Sequence, residues 1–115
     1  MNTYFVTYTL DDQSSYTALS KRLKRYPNWA KLFARAWIIK TTRSSKRVRD
    51  ELIETIDGKG QIVVINITDS AWATYRINED MLDWMKEKLP SGLGVFHSIT
   101  STALLLPNFW ESPWL

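Results

Sequence analysis

Two adjacent acidic residues, Asp11 and Asp12, are the first side chains whose type and spacing suit chemistry. They follow an alternating stretch that predicts a β-strand. Two carboxylates there can hold a magnesium ion that activates water against a phosphodiester. The same pair also fits a turn before a helix, where aspartate is favoured near the helix N-terminus. We favour the turn and expect no metal or other cofactor. A magnesium-dependent nuclease at Asp11 and Asp12 is the alternative.

Other catalytic groups are scarce in this sequence. His97 is the only histidine, and the chain has no cysteine. Disulfides, a thiolate nucleophile and zinc sites of the cysteine type are therefore excluded. No glycine-rich phosphate loop and no nucleophile–base spacing can be found. An enzyme is thus not the favoured class of protein.

Positive charge is concentrated in the first half of the chain. Residues 21–49 include 11 lysines and arginines and no acidic residue, although the net charge of the whole chain is only +3. Such a stretch either attracts phosphate or forms a solvated surface. Its first, helical part favours phosphate binding because no acidic residue lies three or four positions away. The predicted nucleic-acid contacts are Lys21, Arg22, Lys24, Arg25, Lys31 and Arg35.

Aromatic side chains alternate with the last two of these cations. Lys31, Phe33, Arg35 and Trp37 follow the period of a strand, which suits an open sheet face where bases stack on rings and phosphates meet cations. In the alternative that we favour, the same face packs against a second copy of the chain. The predicted dimer interface is then Phe33, Trp37 and Ile39.

The elements that position these residues begin with a strand over residues 4–10, where side chains alternate. A helix follows, capped by Ser14 or Ser15 and ended by Pro27. The long β-prone run after it is best divided into a hairpin near residues 33–34. The two arms of this hairpin carry the predicted strand contacts.

The second half of the pattern repeats the first. A helix begins at Ser44 or Ser45, and a strand covers residues 61–68. A short strand is expected over residues 71–76, and Asn78 caps a third helix. Strand–helix–strand–strand–helix–strand predicts a ferredoxin-like α+β fold, an antiparallel sheet with its helices on one face. The strand residues expected on the helix-covered face are Val6, Tyr8, Leu10, Ile38, Val63, Ile65 and Ile67.

The length of the chain suits one domain with one core. We expect this domain over residues 1–89 and a β-prone, apolar C-terminal extension over residues 90–115. The extension would pack on its own domain or on a partner protein, because its apolar run would otherwise be exposed. We expect no signal peptide, because the first ten residues lack a basic stretch and continue directly into an alternating strand pattern. No apolar run approaches the ~20 residues that span a bilayer. A cytoplasmic protein without membrane contact is therefore expected.

Several stretches of this sequence resemble a known group of small proteins. They are TYFVTYTLDD, AWIIKTTRSS leading into RVRDELIETID, and QIVVINITDSAWATY, together about residues 3–76. These stretches are similar to SinR-like proteins, relatives of the CRISPR adaptation subunit Cas-two and of virulence-associated protein D. The resemblance implies a ferredoxin-like homodimer with facing sheets and, in some relatives, a metal-dependent nuclease. Those relatives end the first strand with an aspartate, and Thr9 takes that place here, which argues against strong nuclease activity.

Together these features predict a small homodimeric protein that associates with DNA or RNA through its first helix. A protein-interaction module, such as a regulator or inhibitor that uses its apolar C-terminal segment, is the alternative from another class.

Overall fold

A computed structural model describes residues 1–89 of the chain, which divides into two compact units, Met1–Thr68 and Asp69–Leu115. Each unit has its own elements. The first contains β1 (Asn2–Leu10), α1 (Gln13–Leu23), β2 (Asn28–Phe33), β3 (Ala36–Thr41), α2 (Ser45–Ile56) and β4 (Gly60–Asn66). The described part of the second contains α3 (Glu79–Lys88). Over the described residues the chain is thus α+β, with a four-stranded sheet and three helices.

The sheet has the strand order β2-β3-β1-β4, and every neighbouring pair is antiparallel. β2 and β3 are joined by residues 34 and 35, which confirms the predicted hairpin. The pairing between them is irregular between Lys31 and Phe33. Thr7 Oγ1 also donates a hydrogen bond of 2.8 Å to the backbone oxygen of Arg35, so the turn of the hairpin is held against β1.

One face of the sheet forms the core of the first unit with α1 and α2. Each helix buries residues four positions apart, as a helix packed along one stripe requires. The Trp37 indole Nε1 donates to the Tyr8 hydroxyl at 2.9 Å, so the largest core side chain satisfies its polar atom internally. The clustered core residues are Tyr4, Val6, Tyr8, Leu10, Leu19, Leu23, Tyr26, Trp37, Ile39, Val48, Leu52 and Ile56.

The strand register corrects several predicted faces. Trp37 lies opposite Val6, which puts it on the helix-covered face together with Ile39. Ile38 lies opposite Phe5 and therefore points to the sheet face away from the helices, where it is nevertheless only 3% exposed. The prediction that Ile38, Val63 and Ile65 lie under the helices is wrong, because the last two lie opposite Thr7 and Phe5 on the open face. Ile67 follows the end of β4.

The helix boundaries follow from local capping. Asp12, and not Ser14 or Ser15, is the N-cap of α1, while the predicted caps Ser44 and Asn78 are confirmed for α2 and α3. Each cap is an oxygen that accepts a hydrogen bond from a backbone N–H of the first turn. α1 ends at Leu23, ahead of Pro27.

The region before α3 differs from the prediction. The short strand expected over residues 71–76 is wrong, since none is formed there. Asp69 and Arg76 adopt left-handed backbone conformations, with φ of 59° and 57°, and these bends interrupt an extended chain. The side chain of Trp72 instead donates a hydrogen bond of 3.2 Å to the backbone oxygen of Leu89 after α3. The predicted C-terminal extension, residues 90–115, lies outside the described residues.

A single carboxylate joins α1 to α2. Glu51 accepts hydrogen bonds or ion pairs from the Tyr26 hydroxyl at 2.7 Å, Arg22 at 3.0 Å, Arg43 at 2.6 Å and Arg47 at 3.4 Å. Its side chain is only 14% exposed. Burial, and then the hydrogen bond to Glu51, raise the pKa of Tyr26 above its ordinary value, so this hydroxyl stays a donor.

Replacing Glu51 by glutamine should therefore destabilise the first unit. Hydrogen bonds to charged groups contribute ~1.5–3 kcal/mol each, and we expect a net loss of about 1–3 kcal/mol because the amide keeps part of the network. Chemical denaturation measures this loss. Glu54→Gln, on the exposed side of the same helix, is the control and should change stability by less than about 0.5 kcal/mol. Equal stability of Glu51→Gln and Glu54→Gln would contradict the role of Glu51.

Candidate nucleic-acid interface

Five of the six predicted basic contacts are exposed in the structure. Lys21, Lys24 and Arg25 lie at the C-terminal end of α1, and Lys31 and Arg35 lie on the hairpin; all five residues are exposed. None of the five has an ion pair to a carboxylate within the described chain. We call these five residues the basic surface. Lys46, at the start of α2, likewise has no ion pair with any carboxylate of residues 1–89.

Arg22 does not belong to this surface. Its guanidinium lies 3.0 Å from Glu51 and 4.8 Å from the centre of the Tyr26 ring, and its side chain is only 18% exposed. A phosphate would have to compete with this carboxylate. The prediction that Arg22 is a nucleic-acid contact is therefore not supported by its place in the structure, since its position on α1 turns it toward α2.

Aromatic rings, not carboxylates, hold three cations of the basic surface. Arg35 lies 5.0 Å from the centre of the Tyr16 ring, Lys24 5.6 Å from that of Trp29, and Lys31 5.8 Å from that of Trp37. Such contacts orient a cation without neutralising its charge. Because the three cations keep their full charge, they are available for an anion.

A groove lies between α1 and the hairpin. Its volume is about 280 Å³, and its lining combines two cations with hydroxyl and amide groups. We call it the α1–β2 groove. Its lining residues are Tyr8, Gln13, Tyr16, Thr17, Ser20, Lys31, Ala34 and Arg35.

The polar groups of the groove come from three separate elements. Gln13, Thr17 and Ser20 recur at helical spacing on α1, so they form one stripe along the groove. The Tyr8 ring is 5% exposed, and its hydroxyl accepts from Trp37. The O–H of Tyr8 has no hydrogen-bond acceptor among residues 1–89, so it is a donor that a ligand can use.

Sequence reasoning missed the contribution of Tyr8 and of the α1 stripe. The strand alternation predicts Tyr8 on the helix-covered face, which is correct for its ring but does not reveal that its hydroxyl lines the groove. The available signal was a polar stripe on α1, formed by Gln13, Thr17 and Ser20. Three uncharged polar residues on one helix face, beside basic residues, indicate a solvated surface suited to a polar ligand.

The predicted dimer residues lie on different sides of the sheet. Trp37 and Ile39 are fully buried in the core of the first unit, so their prediction as an exposed interface is wrong. Phe33 lies opposite Ala36, on the open face, and is 60% exposed. The predicted platform of alternating rings and cations is also wrong, because Lys31 and Trp37 lie opposite each other on the helix-covered face. Because Trp37, Ile38 and Ile39 are all apolar, the alternation of side chains along the strand does not tell which of them face the helices.

The acidic pair is divided between a cap and an exposed residue. Asp12 Oδ1 accepts from the backbone N–H of Ser15 at 2.8 Å and from Ser14 Oγ at 2.9 Å. The backbone N–H of Asp11 donates to the oxygen of Lys59 at 3.2 Å. No group of three acidic or histidine side chains that could hold a metal ion occurs within residues 1–89. Asp12 thus has a structural use that needs no metal.

Comparison with family models, with curated proteins and with solved structures finds no match to this chain. None of the helices in the described part of the chain is long and apolar enough to cross a membrane. The interpretation of the site therefore depends on its own geometry.

Replacing Asp12 by alanine should lower the melting temperature, because α1 loses its N-cap. Hydrogen bonding from the side chain and backbone of Ser15, and then from Ser14, lowers the pKa of Asp12 from its ordinary 3.8. A lowered pKa in the folded state stabilises the fold above the unfolded value, and this contribution is lost as the pH falls. Thermal unfolding at several pH values should show the difference between wild type and variant shrinking below 3.8. Asp11→Ala is the matched control and should melt like the wild type.

Proposed function

We propose that this chain binds nucleic acid through the basic surface formed by Lys21, Lys24, Arg25, Lys31 and Arg35. The observation that carries this proposal is that none of these five exposed cations has a carboxylate partner within the described residues. Elsewhere in the first unit, Arg43, Arg47 and Arg49 do have such partners. Unneutralised cations gathered on one surface attract phosphates and release the counterions bound to them.

The α1–β2 groove distinguishes this surface from an ordinary solvated one. Cations on a solvated surface are mobile and show no common orientation. Here Lys24, Lys31 and Arg35 lie over rings at 5.0–5.8 Å, which restricts their motion, and Lys31 and Arg35 also line the groove. Fixed cations lose less side-chain entropy when a phosphate binds. DNA and RNA both fit this chemistry, since it depends on phosphates and not on bases.

The fold that we propose is ferredoxin-like, with a relationship to SinR-like proteins, the CRISPR adaptation subunit Cas-two and virulence-associated protein D. In support, the element order is strand–helix–strand–strand–helix–strand and the strand order is β2-β3-β1-β4. Both helices of this pattern pack on the same sheet face. We also propose that the protein acts in the cytoplasm, where nucleic acid is available to it.

Binding without strong hydrolysis is the activity that we propose. Metal-dependent cleavage needs carboxylates held rigidly on the ion. Thr9, near the end of β1, has a neutral hydroxyl, and Asp12 caps α1. The alternative, a nuclease that uses magnesium at Asp11 and Asp12, would appear as chelator-sensitive cleavage of RNA or DNA that is lost in Asp11→Ala.

We further propose that the open sheet face pairs two copies of the chain. Phe33 is 60% exposed, and Val63 and Ile65 on β4 are each 49% exposed. Val63 and Ile65 share the open face with Phe5 of β1. An exposed apolar group of this kind is typical of an interaction surface, and a twofold dimer covers the same face on both copies.

Removing the basic charges of α1 should weaken binding. The variant Lys21→Gln, Lys24→Gln and Arg25→Gln loses three phosphate contacts. Each contact contributes ~0.7 to the salt slope on single strands and ~0.9 on duplex DNA, so the slope should fall by about two to three. Titrations of labelled DNA and RNA at several salt concentrations measure this slope.

A charge-matched control separates this surface from net charge. Lys46→Gln, Arg47→Gln and Arg49→Gln also remove three charges, but on α2. Both triple variants bring the formal net charge from +3 to 0. The control should bind like the wild type. If both variants lost affinity equally, general charge and not the basic surface would explain binding.

A charge on the open face should prevent dimerisation. We expect the wild type to sediment at twice its 13.4 kDa mass and Ile65→Lys to sediment as the monomer. The reason is that an unpaired lysine would be desolvated at the centre of the interface. Ile53, which is 40% exposed on α2, offers the control Ile53→Lys, which should remain a dimer. A wild type that stays monomeric at micromolar concentration would refute this pairing.

A further inference from the structure

The volume of the α1–β2 groove suits a small group, such as one phosphate. Its volume of about 280 Å³ lies just below the range of ~300–1,000 Å³ that is typical of small-molecule sites. The basic surface continues beyond it at Lys21, Lys24 and Arg25. A chain that crosses the basic surface can therefore place its terminal unit in the groove.

The rings beside the groove are not available for stacking on a base. Arg35 lies over the face of Tyr16, and Trp37 is fully buried under Lys31. Recognition in the groove must then come from its polar groups. These are two full positive charges and a set of neutral donors, which suit a phosphate and not a base.

The Tyr8 hydroxyl adds a directed donor to these charges. It is held by the hydrogen bond of 2.9 Å from Trp37 Nε1, which uses the hydroxyl as an acceptor. The proton of the same hydroxyl has no acceptor in residues 1–89, although Tyr8 is only 5% exposed. A buried donor without a partner is costly, and an anionic oxygen in the groove would satisfy it.

From these observations we infer that the α1–β2 groove binds a phosphate monoester, with Lys31, Arg35 and the Tyr8 hydroxyl as its contacts. The monoester is either the phosphorylated end of a DNA or RNA strand or a free mononucleotide. A terminal monoester carries up to two charges, with a second pKa of ~6, whereas an internal diester carries one. Two cations and a donor therefore favour the end of the strand over its interior. If the ligand is the end of a strand, this inference rests on the proposed function.

Calorimetric titrations of the whole chain test the inference with one oligonucleotide in three forms. The forms carry a 5′-phosphate, a 3′-phosphate or only hydroxyl ends, and a nucleoside monophosphate serves as the fourth ligand. We expect one phosphorylated end to bind at least about tenfold more tightly than the hydroxyl-ended strand, as one added charge-assisted contact allows. The preference should fall as the pH is lowered from ~7.5 to ~5, because the monoester then loses its second charge.

Variants assign this preference to the groove. Lys31→Gln with Arg35→Gln should abolish it while the basic residues of α1 still bind hydroxyl-ended strands. Tyr8→Phe should reduce the preference for the phosphorylated end. Because the Tyr8 hydroxyl also accepts the hydrogen bond from Trp37, Tyr8→Phe could destabilise the fold, and the Lys31 and Arg35 double variant therefore provides a test that does not depend on it. Lys46→Gln with Arg49→Gln removes the same charges from α2 and should leave the preference unchanged.

The outcomes separate this inference from the proposed function. If strands bind with equal affinity whatever their ends, the inference is wrong and the proposed function stands. If no strand binds but the mononucleotide does, and the Lys31 and Arg35 double variant loses it, the groove is a mononucleotide site and the proposed function is wrong. If none of the four ligands binds, both are wrong.

Discussion

The carboxylate of Glu51 is the interaction on which the surface of the first unit depends. Of the cations close to α1 and α2, it gathers three, Arg22, Arg43 and Arg47, and it holds the Tyr26 hydroxyl as well. This contact fixes α1 beside α2 above the sheet. Glu51 also supplies Arg22 with an acidic partner, which α1 does not contain itself. The remaining cations of α1 and of the hairpin are then left without a carboxylate, which is the property that makes them suitable for binding phosphate.

Aromatic residues have a second role in this arrangement. A cation without a counterion is usually free to move in solvent, and ordering it on binding costs side-chain entropy. Rings of Tyr16, Trp29 and Trp37 restrict Arg35, Lys24 and Lys31 without cancelling their charges. Trp37 is held in turn by the Tyr8 hydroxyl inside the core. Packing of the core and orientation of the charges are therefore coupled through the same side chains.

Local sequence signals were sufficient to predict most helices and strands. Long-range strand pairing was needed to predict which side chains lie on each face of the sheet. The hairpin and the Ser44 and Asn78 caps follow from alternation and capping chemistry, which act within a few residues. The orientation of β3 does not follow from local signals, because Trp37, Ile38 and Ile39 are all apolar and all buried. Only the register with β1 decides which of them faces the helices. Shifting a strand by one residue exchanges its two faces, and both the predicted dimer interface and the predicted stacking platform depended on that choice.

The same limit applies to the candidate site. Its cations were predictable from an unbroken basic stretch, but the exclusion of Arg22 depends on Glu51, which lies 29 positions further along the chain. The groove likewise needs β1, α1 and the hairpin together. No pattern within one element contains it. Only the polar stripe on α1 pointed toward it, and that stripe alone does not say what lies opposite.

An NMR titration of ¹⁵N-labelled protein with a single-stranded oligonucleotide at low salt tests the central claim most directly. The account predicts that the amide signals that change are those of α1 from Gln13 onward and of the hairpin around Lys31 and Arg35. Signals of α2 should change little, because its arginines keep their carboxylate partners. Changes concentrated on α2, or on the open face around Val63 and Ile65, would contradict the claim that the cations beside the α1–β2 groove bind the phosphates.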